Sequence, residues 1–266
     1  RKMIKIGFWY DIDLGYSGGL NYYYNLVFAF KKIKQEKYKL IFFFPSDIDK
    51  ETEQLFKPFC EIHKIKVLKK NTFSSILNKI FLKLFKINFY LIYYFKKNNI
   101  KILSHSTTMY NKYFNIKIIS WIPDFQYVYL KNLFKPNDLK ILHNNTKKIL
   151  KLSDHLILSS NDAFNHLKNN YGKNLNIKKV SILRFVTQVN FEIRSDNSKV
   201  NNIKHKKFFY IPNQFWSHKN HKVVFKAVSE LKNDSIDNEF GLIWYFNIKC
   251  SPFTPLNGSP STLKVI

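Results

Sequence analysis

The sequence predicts an α/β fold built on a parallel sheet, and three observations carry that prediction. Short runs rich in Ile, Phe, Tyr and Val recur through the first 183 residues. Between them lie segments whose apolar residues return at helical spacing. Each run ends in a polar loop, the order expected of strand, loop and helix repeated along the chain. About seven strands, with helices on both faces, follow from the count of runs.

Residues 3–10 (MIKIGFWY) read as the first strand. The loop 11–19 then holds three of the seven Gly, including Gly18 and Gly19, ahead of a helix with Leu20, Tyr23, Tyr24, Val27 and Phe30 on one face. A glycine loop between strand and helix lets backbone approach a ligand; a tight turn is the alternative. The pattern is neither GxGxxG nor a GK[ST] phosphate loop. Residues 39–44 give a second strand, a short helix runs through 53–56, and 65–68 give a third strand.

Residues 73–95 are the most apolar helical stretch, with Lys79, Lys83 and Lys86 along its flank. The sheet needs a cover, and this helix supplies one. A broad apolar face with a Lys rim also suits a membrane interface, the two readings being compatible if Phe81 and Phe85 point away from the sheet.

A fourth strand at 100–103 ends at His105 among hydroxyl residues, where an imidazole could carry a proton or hold a sugar, or be a hydrogen-bonded loop residue. The fifth strand, 116–122, runs into Pro123, Asp124, Phe125 and Gln126. Asp124 and Gln126 offer a carboxylate beside an amide, a pair able to bind sugar hydroxyls; Asp124 could equally cap the turn after Pro123. A helix near 137–151, a strand at 155–158, an N-cap at 159–162, a helix from 163 to 170 closed by Gly172, and a strand at 180–183 complete this half.

Residues 187–205 are polar and aperiodic, an expected interdomain linker. Residues 208–211 (FFYI) read as a strand leading through a polar loop into a helix with Val223, Val224, Val228 and Leu231. Lys219 lies near that helix's N-terminus, a corner suited to phosphate. Beyond 233 the pattern changes: residues 240–246 could form one more strand, and 251–261 hold three Pro and one Gly, as turn or irregular sequence does.

The net charge of +26 invites a nucleic-acid or anionic-membrane reading. Only three residues are Arg, however, and Lys rises together with Asn, Ile, Phe and Tyr, which points to biased composition and away from a dedicated nucleic-acid binder. Cys60 and Cys250 stand apart from each other and from any metal-type spacing, which fits a reducing cytosol. No signal peptide is apparent and no apolar run reaches the ~18 residues of a membrane span, so a cytoplasmic protein, peripheral on the membrane at most, is expected.

Two strings carry a family resemblance. SWIPDFQ at 120–126 and YIPNQFWSHKNH at 210–221 resemble a subgroup of family 4 glycosyltransferases, enzymes of the GT-B fold. ILSSNDAFNHL at 157–167 is similar to a third segment of that group. The resemblance implies a complete N-terminal Rossmann-like domain over 1–186, a linker over 187–205, and the first strand–loop–helix of a C-terminal donor domain over 206–232, with an irregular tail over 233–266. Only 61 residues follow position 205 (266 − 205), and the acidic motif that such enzymes carry later in the donor domain has no match, so a truncated member with impaired activity is expected.

The family's activity, by implication, is retaining transfer of a sugar from a nucleotide sugar to a saccharide or lipid-linked acceptor, without metal or other cofactor. His105 and Asp124 would serve catalysis. Gly18, Gly19 and Gln126 would line the substrate site. In the donor loop, Lys219 matches a diphosphate-binding Lys, Asn213 or Gln214 stands where Arg is usual, and His218 lies beside them. Tyr127 occupies a position that is His in many members. The alternative is a non-catalytic module that binds a glycan, a partner or an anionic membrane.

Overall fold

Alternation of side chains along the strands sorts the apolar residues to two faces of one sheet. In the second strand, Phe42 and Phe44 pack with Phe8, Tyr22, Tyr23, Val27 and Phe56, whereas Ile41 and Phe43 join Trp9, Phe95, Leu103 and Ile118 on the other side. A sheet buried on both faces accounts for the near-continuous apolar runs of the sequence. The computed structural model describes residues 3–10, 17–33, 37–107, 115–172, 179–186, 208–211, 219–233 and 241–244.

The chain divides into two units, Arg1–Gln188 and Val189–Ile266. The first contains β1 (Ile4–Trp9), α1 (Ser17–Lys32), β2 (Tyr38–Pro45), α2 (Lys50–Phe56), β3 (Glu61–Ile65), α3 (Phe73–Phe85), α4 (Phe89–Lys97) and β4 (Ile102–Ser106). It continues through β5 (Lys117–Ile122), α5 (Gln126–Tyr129), α6 (Pro136–Leu152), β6 (His155–Leu158), α7 (Asn161–Tyr171) and β7 (Val180–Ile182). The seven strands form one sheet in the order β3-β2-β1-β4-β5-β6-β7, and every pairing is parallel. All carboxyl ends therefore lie at one edge, and the order reverses between β1 and β4.

The second unit pairs β8 (Phe208–Ile211) with β9 (Gly241–Trp244) in parallel, with α8 (His221–Asn233) between them in sequence. It is a β-α-β unit: the expected strand and helix, followed by the further strand that residues 240–246 suggested. The expected linker over 187–205 lies outside the described residues, as do 234–240 and 245–266 of the expected tail.

Three expectations need correction. The third strand lies at Glu61–Ile65, and Lys66–Leu68 forms a 3-10 turn, because the strand pairs β2 through Ile41↔Glu61 to Pro45↔Ile65. The helix expected over 73–95 is two. Lys86 ends α3 at φ 58, a left-handed residue that stops a helix, and Asn88 opens α4 by accepting from Leu91 N–H at 3.0 Å. The sheet cover is α4, which supplies Leu91 and Phe95 to the core; α3 contributes no residue to either core cluster. Gly172 does close α7, as expected, but with φ −54 its backbone is right-handed and the position needs no glycine.

Gly7 has a packing reason. A Cβ placed on it would lie 2.5 Å from Cζ of Phe95, so α4 approaches the sheet where β1 has no side chain.

Candidate functional site

In an open parallel sheet, ligands bind outside the carboxyl ends of the strands where the order reverses. Here that place is the edge beyond β1 and β4, and His105 stands at its centre. It sits where the β4–β5 register slips between Ser104 and Ser106, with φ 55, a left-handed conformation uncommon for a residue with a side chain. The bulge turns the ring inward, and His105 is 5 % exposed.

Both ring nitrogens are engaged. Tyr22 Oη lies 2.8 Å from Nε2, and Ser104 Oγ lies 2.8 Å from Nδ1. Tyr23 donates its hydroxyl to the His105 carbonyl at 2.9 Å. Burial disfavours the charged imidazole and pushes its pKa down to about 3, so the ring is neutral near pH 7. A neutral ring between two hydroxyls is held by one donated and one accepted hydrogen bond. The same burial raises the Tyr22 phenol and keeps it protonated.

Aromatic rings close around this group. Phe8 stacks on His105 with centroids 5.8 Å apart, and Trp121 lies 6.1 Å away. Phe185, just after β7, meets the Tyr22 ring edge-on at 5.2 Å. Trp121 Nε1 donates to Ser159 Oγ at 3.1 Å, which ties β5 to the end of β6. Ser160, next in the chain, caps α7 by accepting from Ala163 N–H at 3.0 Å.

Asp124 is exposed at the same edge, just past β5. Its Oδ1 accepts from Gln126 N–H at 3.1 Å and its Oδ2 from Gln126 Nε2 at 3.3 Å. This is the turn-capping arrangement, and it brings the two predicted sugar-binding groups together. Tyr127, next to Gln126, points inward. Its hydroxyl lies 2.7 Å from Thr146 Oγ1 and 3.0 Å from Tyr171 Oη, and His143 Nδ1 lies 2.6 Å from that same Tyr171 oxygen.

Gly18 and Gly19 belong to the first turn of α1 and not to a loop, and neither has positive φ. Gly18 is exposed and Gly19 buried. A helix start carries backbone N–H groups with no partner inside the helix and a positive dipole end, and no acidic side chain occupies this first turn. Lys219 is exposed, two residues before α8 in the second unit. Asn213, Gln214 and His218 lie outside the described residues. Among the described residues, no group of three or more His, Cys, Asp and Glu is placed to hold a metal ion, and no helix is long and apolar enough to cross a membrane.

Sequence reasoning missed Tyr22, Ser159 and the pair Thr146 and Tyr171. The tandem aromatics at 22–24 were a signal, but helical spacing assigned Tyr23 and Tyr24 to the inner face and left Tyr22 out. Nothing in the linear sequence joins Tyr127 to residues 19 and 44 positions away.

The fold is shared with known proteins. S. aureus MnaA, in a co-structure with UDP, superposes with a TM-score of 0.51 at 13% identity, over 94% of this chain and 64% of that one. A Listeria monocytogenes protein assigned as a UDP-N-acetylglucosamine 2-epimerase gives 0.54 at 10% identity, over 94% and 65%. The chain is α/β and GT-B-like. The glycosyltransferase of kitacinnamycin matches at a TM-score of 0.43 and 8% identity, over 92% and 66%, too low to bear on the argument. The chain thus spans just under two thirds of the length of the first two proteins. No protein-family model and no curated protein matches the sequence.

Proposed function

We propose that this chain binds a nucleotide sugar and serves transfer of the sugar to a saccharide or lipid-linked acceptor. The observation that carries the reading is the reversal of strand order between β1 and β4, with the start of α1 at the same sheet edge as Asp124 and Gln126. The fold likeness to a protein with UDP in its co-structure supports the nucleotide part. In this reading the N–H groups around Gly18 and Gly19 face an anionic ligand, and Asp124 and Gln126 hold sugar hydroxyls. In the second unit, the family resemblance makes Lys219, with Asn213, Gln214 and His218 before it in sequence, the candidate for binding the diphosphate. His105 is neutral and occupied on both nitrogens, so it acts by fixing Tyr22 and Ser104 at this edge, not by carrying a proton. Catalysis would then rest on electrostatic stabilisation of the leaving diphosphate and on orientation of the acceptor. The family resemblance implies retention at the anomeric carbon and no metal.

A second reading, a non-catalytic binding module, has its own support: the polar groups of Asp124, Gln126 and His105 are taken up by hydrogen bonds within the edge itself. Calorimetry with UDP and with UDP- and GDP-sugars, followed by transfer assays on any binder, separates the two. Binding that weakens about fivefold in Lys219→Ala, a loss of ~1 kcal/mol, is the result expected. Binding without transfer favours the module. Absence of heat with every nucleotide and nucleotide sugar overturns the proposal.

A further inference from the structure

Helix α3 is turned inside out relative to an ordinary surface helix. Its inner positions are Ser75, Asn78 and Leu82, spaced i, i+3, i+7 and buried. Two of the three are polar, and Asn78 Oδ1 has no hydrogen-bond partner among the described residues. The apolar stripe faces outward: Phe73, Ile76, Ile80, Phe81, Leu84 and Phe85 are all exposed, Phe73 by 78% and Leu84 by 67%. Burial against the body therefore does not explain why these positions are apolar.

The stripe is also ordered. Phe81, Phe85 and Phe89, the last from the start of α4, stand 5.8–6.0 Å apart by ring centroid and form one ridge. The helix start is fixed by a capping box between Thr72 and Ser75, and Thr72 Oγ1 donates to the carbonyls of Lys66 and Lys69. Where Lys79 and Lys83 border the stripe, on the flank of α3 away from that ridge, lies a cavity of about 340 Å³, lined by Leu82, three lysines (Lys79 and Lys83 of α3, and Lys86 at its end) and Lys148 of α6. Its lining carries four ammonium groups and no carboxylate.

We propose that this face seats the protein on an anionic lipid bilayer, the ridge entering the headgroup region and the lysine-walled cavity taking a lipid phosphate. Apolar side chains bordered by lysines match the layering of a bilayer surface, apolar beneath and negative above. A second copy of the chain is the poorer occupant, since a two-fold contact through this face brings the same lysines toward each other. The inference uses no residue of the candidate sugar site and holds whether or not the chain binds nucleotide.

The test is co-sedimentation of the 266-residue chain with vesicles of phosphatidylcholine alone and of equal parts phosphatidylcholine and phosphatidylglycerol. Binding to the anionic vesicles that falls as salt rises is the result expected. It should drop by about tenfold or more in Phe81→Ser/Leu84→Ser/Phe85→Ser and in Lys79→Glu/Lys83→Glu/Lys86→Glu. Lys148→Glu, on a different helix, should weaken it too and guards against a disturbed α3; circular dichroism checks that each variant is folded. Equal binding to both vesicles, or variants that bind as the parent does, overturns the proposal. So does a dimer in sedimentation equilibrium that the Phe81/Leu84/Phe85 variant dissolves.

Discussion

The rings of Tyr22 and Trp121 lie face to face, 4.0 Å apart and 5° from parallel, and this stack joins the start of α1 to the end of β5. Each ring is also pinned by its polar tip, Tyr22 on His105 Nε2 and Trp121 on Ser159 Oγ. An aromatic body with a satisfied polar end fixes position and orientation together. Four elements that reach the sheet edge, α1, β4, β5 and the turn after β6, are thereby held in one arrangement. Trp121 belongs to the SWIPDFQ string, and within it this residue has a supporting role.

His105 makes the fold sensitive to acid. Its folded pKa is depressed to about 3 from an ordinary 6.5 by burial. Between those values the unfolded chain holds a proton that the folded chain excludes, so this contribution to stability is complete above pH 6.5 and is lost as pH falls toward 3. At pH 5 the loss amounts to ~2 kcal/mol, taking about 1.36 kcal/mol per pKa unit. His143, also depressed by burial, adds a slope of the same sign. Urea midpoints at pH 7 and pH 5 should drop more for the parent than for His105→Asn, which tolerates the left-handed backbone and does not titrate. Equal drops would mean that His105 does not set the acid limit.

The parallel sheet was legible because its strands are apolar runs buried on both faces and its helices keep a 3.6-residue period; both signals are local. The third strand was misread because Ile65, Val67 and Leu68 are all apolar, while the true strand, Glu61–Ile65, carries Glu61 with Lys39 and His63 as partners at the sheet's rim. The break in the 73–95 helix depends on Lys86 in a left-handed conformation, which no sequence period announces. At the site, Asp124 and Gln126 could be found because they follow a strand, and His105 because it lies near the end of one, inside β4 and not in the loop expected after residue 103. Their partners could not: Tyr22 lies 83 residues from His105, and their meeting is a product of the crossover between β1 and β4.

The hydroxyl group of Tyr127 is worth a measurable coupling. Truncation to Phe leaves Thr146 and Tyr171, both buried, short of one partner each. Leaving buried hydroxyls unsatisfied costs ~1–3 kcal/mol. Tyr127→Phe should destabilise by that order, and Thr146→Val by a similar amount. In the double variant the total cost should fall short of the sum of the two by ~1 kcal/mol, as expected of groups in one network. Additive denaturation free energies would show that the 2.7 Å contact between them carries no energy of its own.

Gly7→Ala sets two effects of opposite sign against each other. Alanine removes backbone freedom from the unfolded chain, a gain of roughly 0.5–1 kcal/mol at a strand position that alanine can adopt. Against this, the new methyl would meet Phe95 Cζ at 2.5 Å and Cε2 at 2.9 Å, with Ile100 Cγ2 at 3.0 Å. Phe95 is fully buried, with Phe43 stacked at 5.4 Å and Trp9 edge-on at 6.5 Å, so its ring has no free direction in which to yield. Overpacking of this kind costs roughly 1–3 kcal/mol, and it outweighs the entropic gain. Thermal or urea denaturation should therefore find Gly7→Ala less stable by ~1–2 kcal/mol. Because the clash is with one ring, Phe95→Leu in the Gly7→Ala background should cost less than Phe95→Leu in the parent. A Gly7→Ala variant as stable as the parent, or a Phe95→Leu cost equal in both backgrounds, would show that α4 can lift from the sheet without penalty.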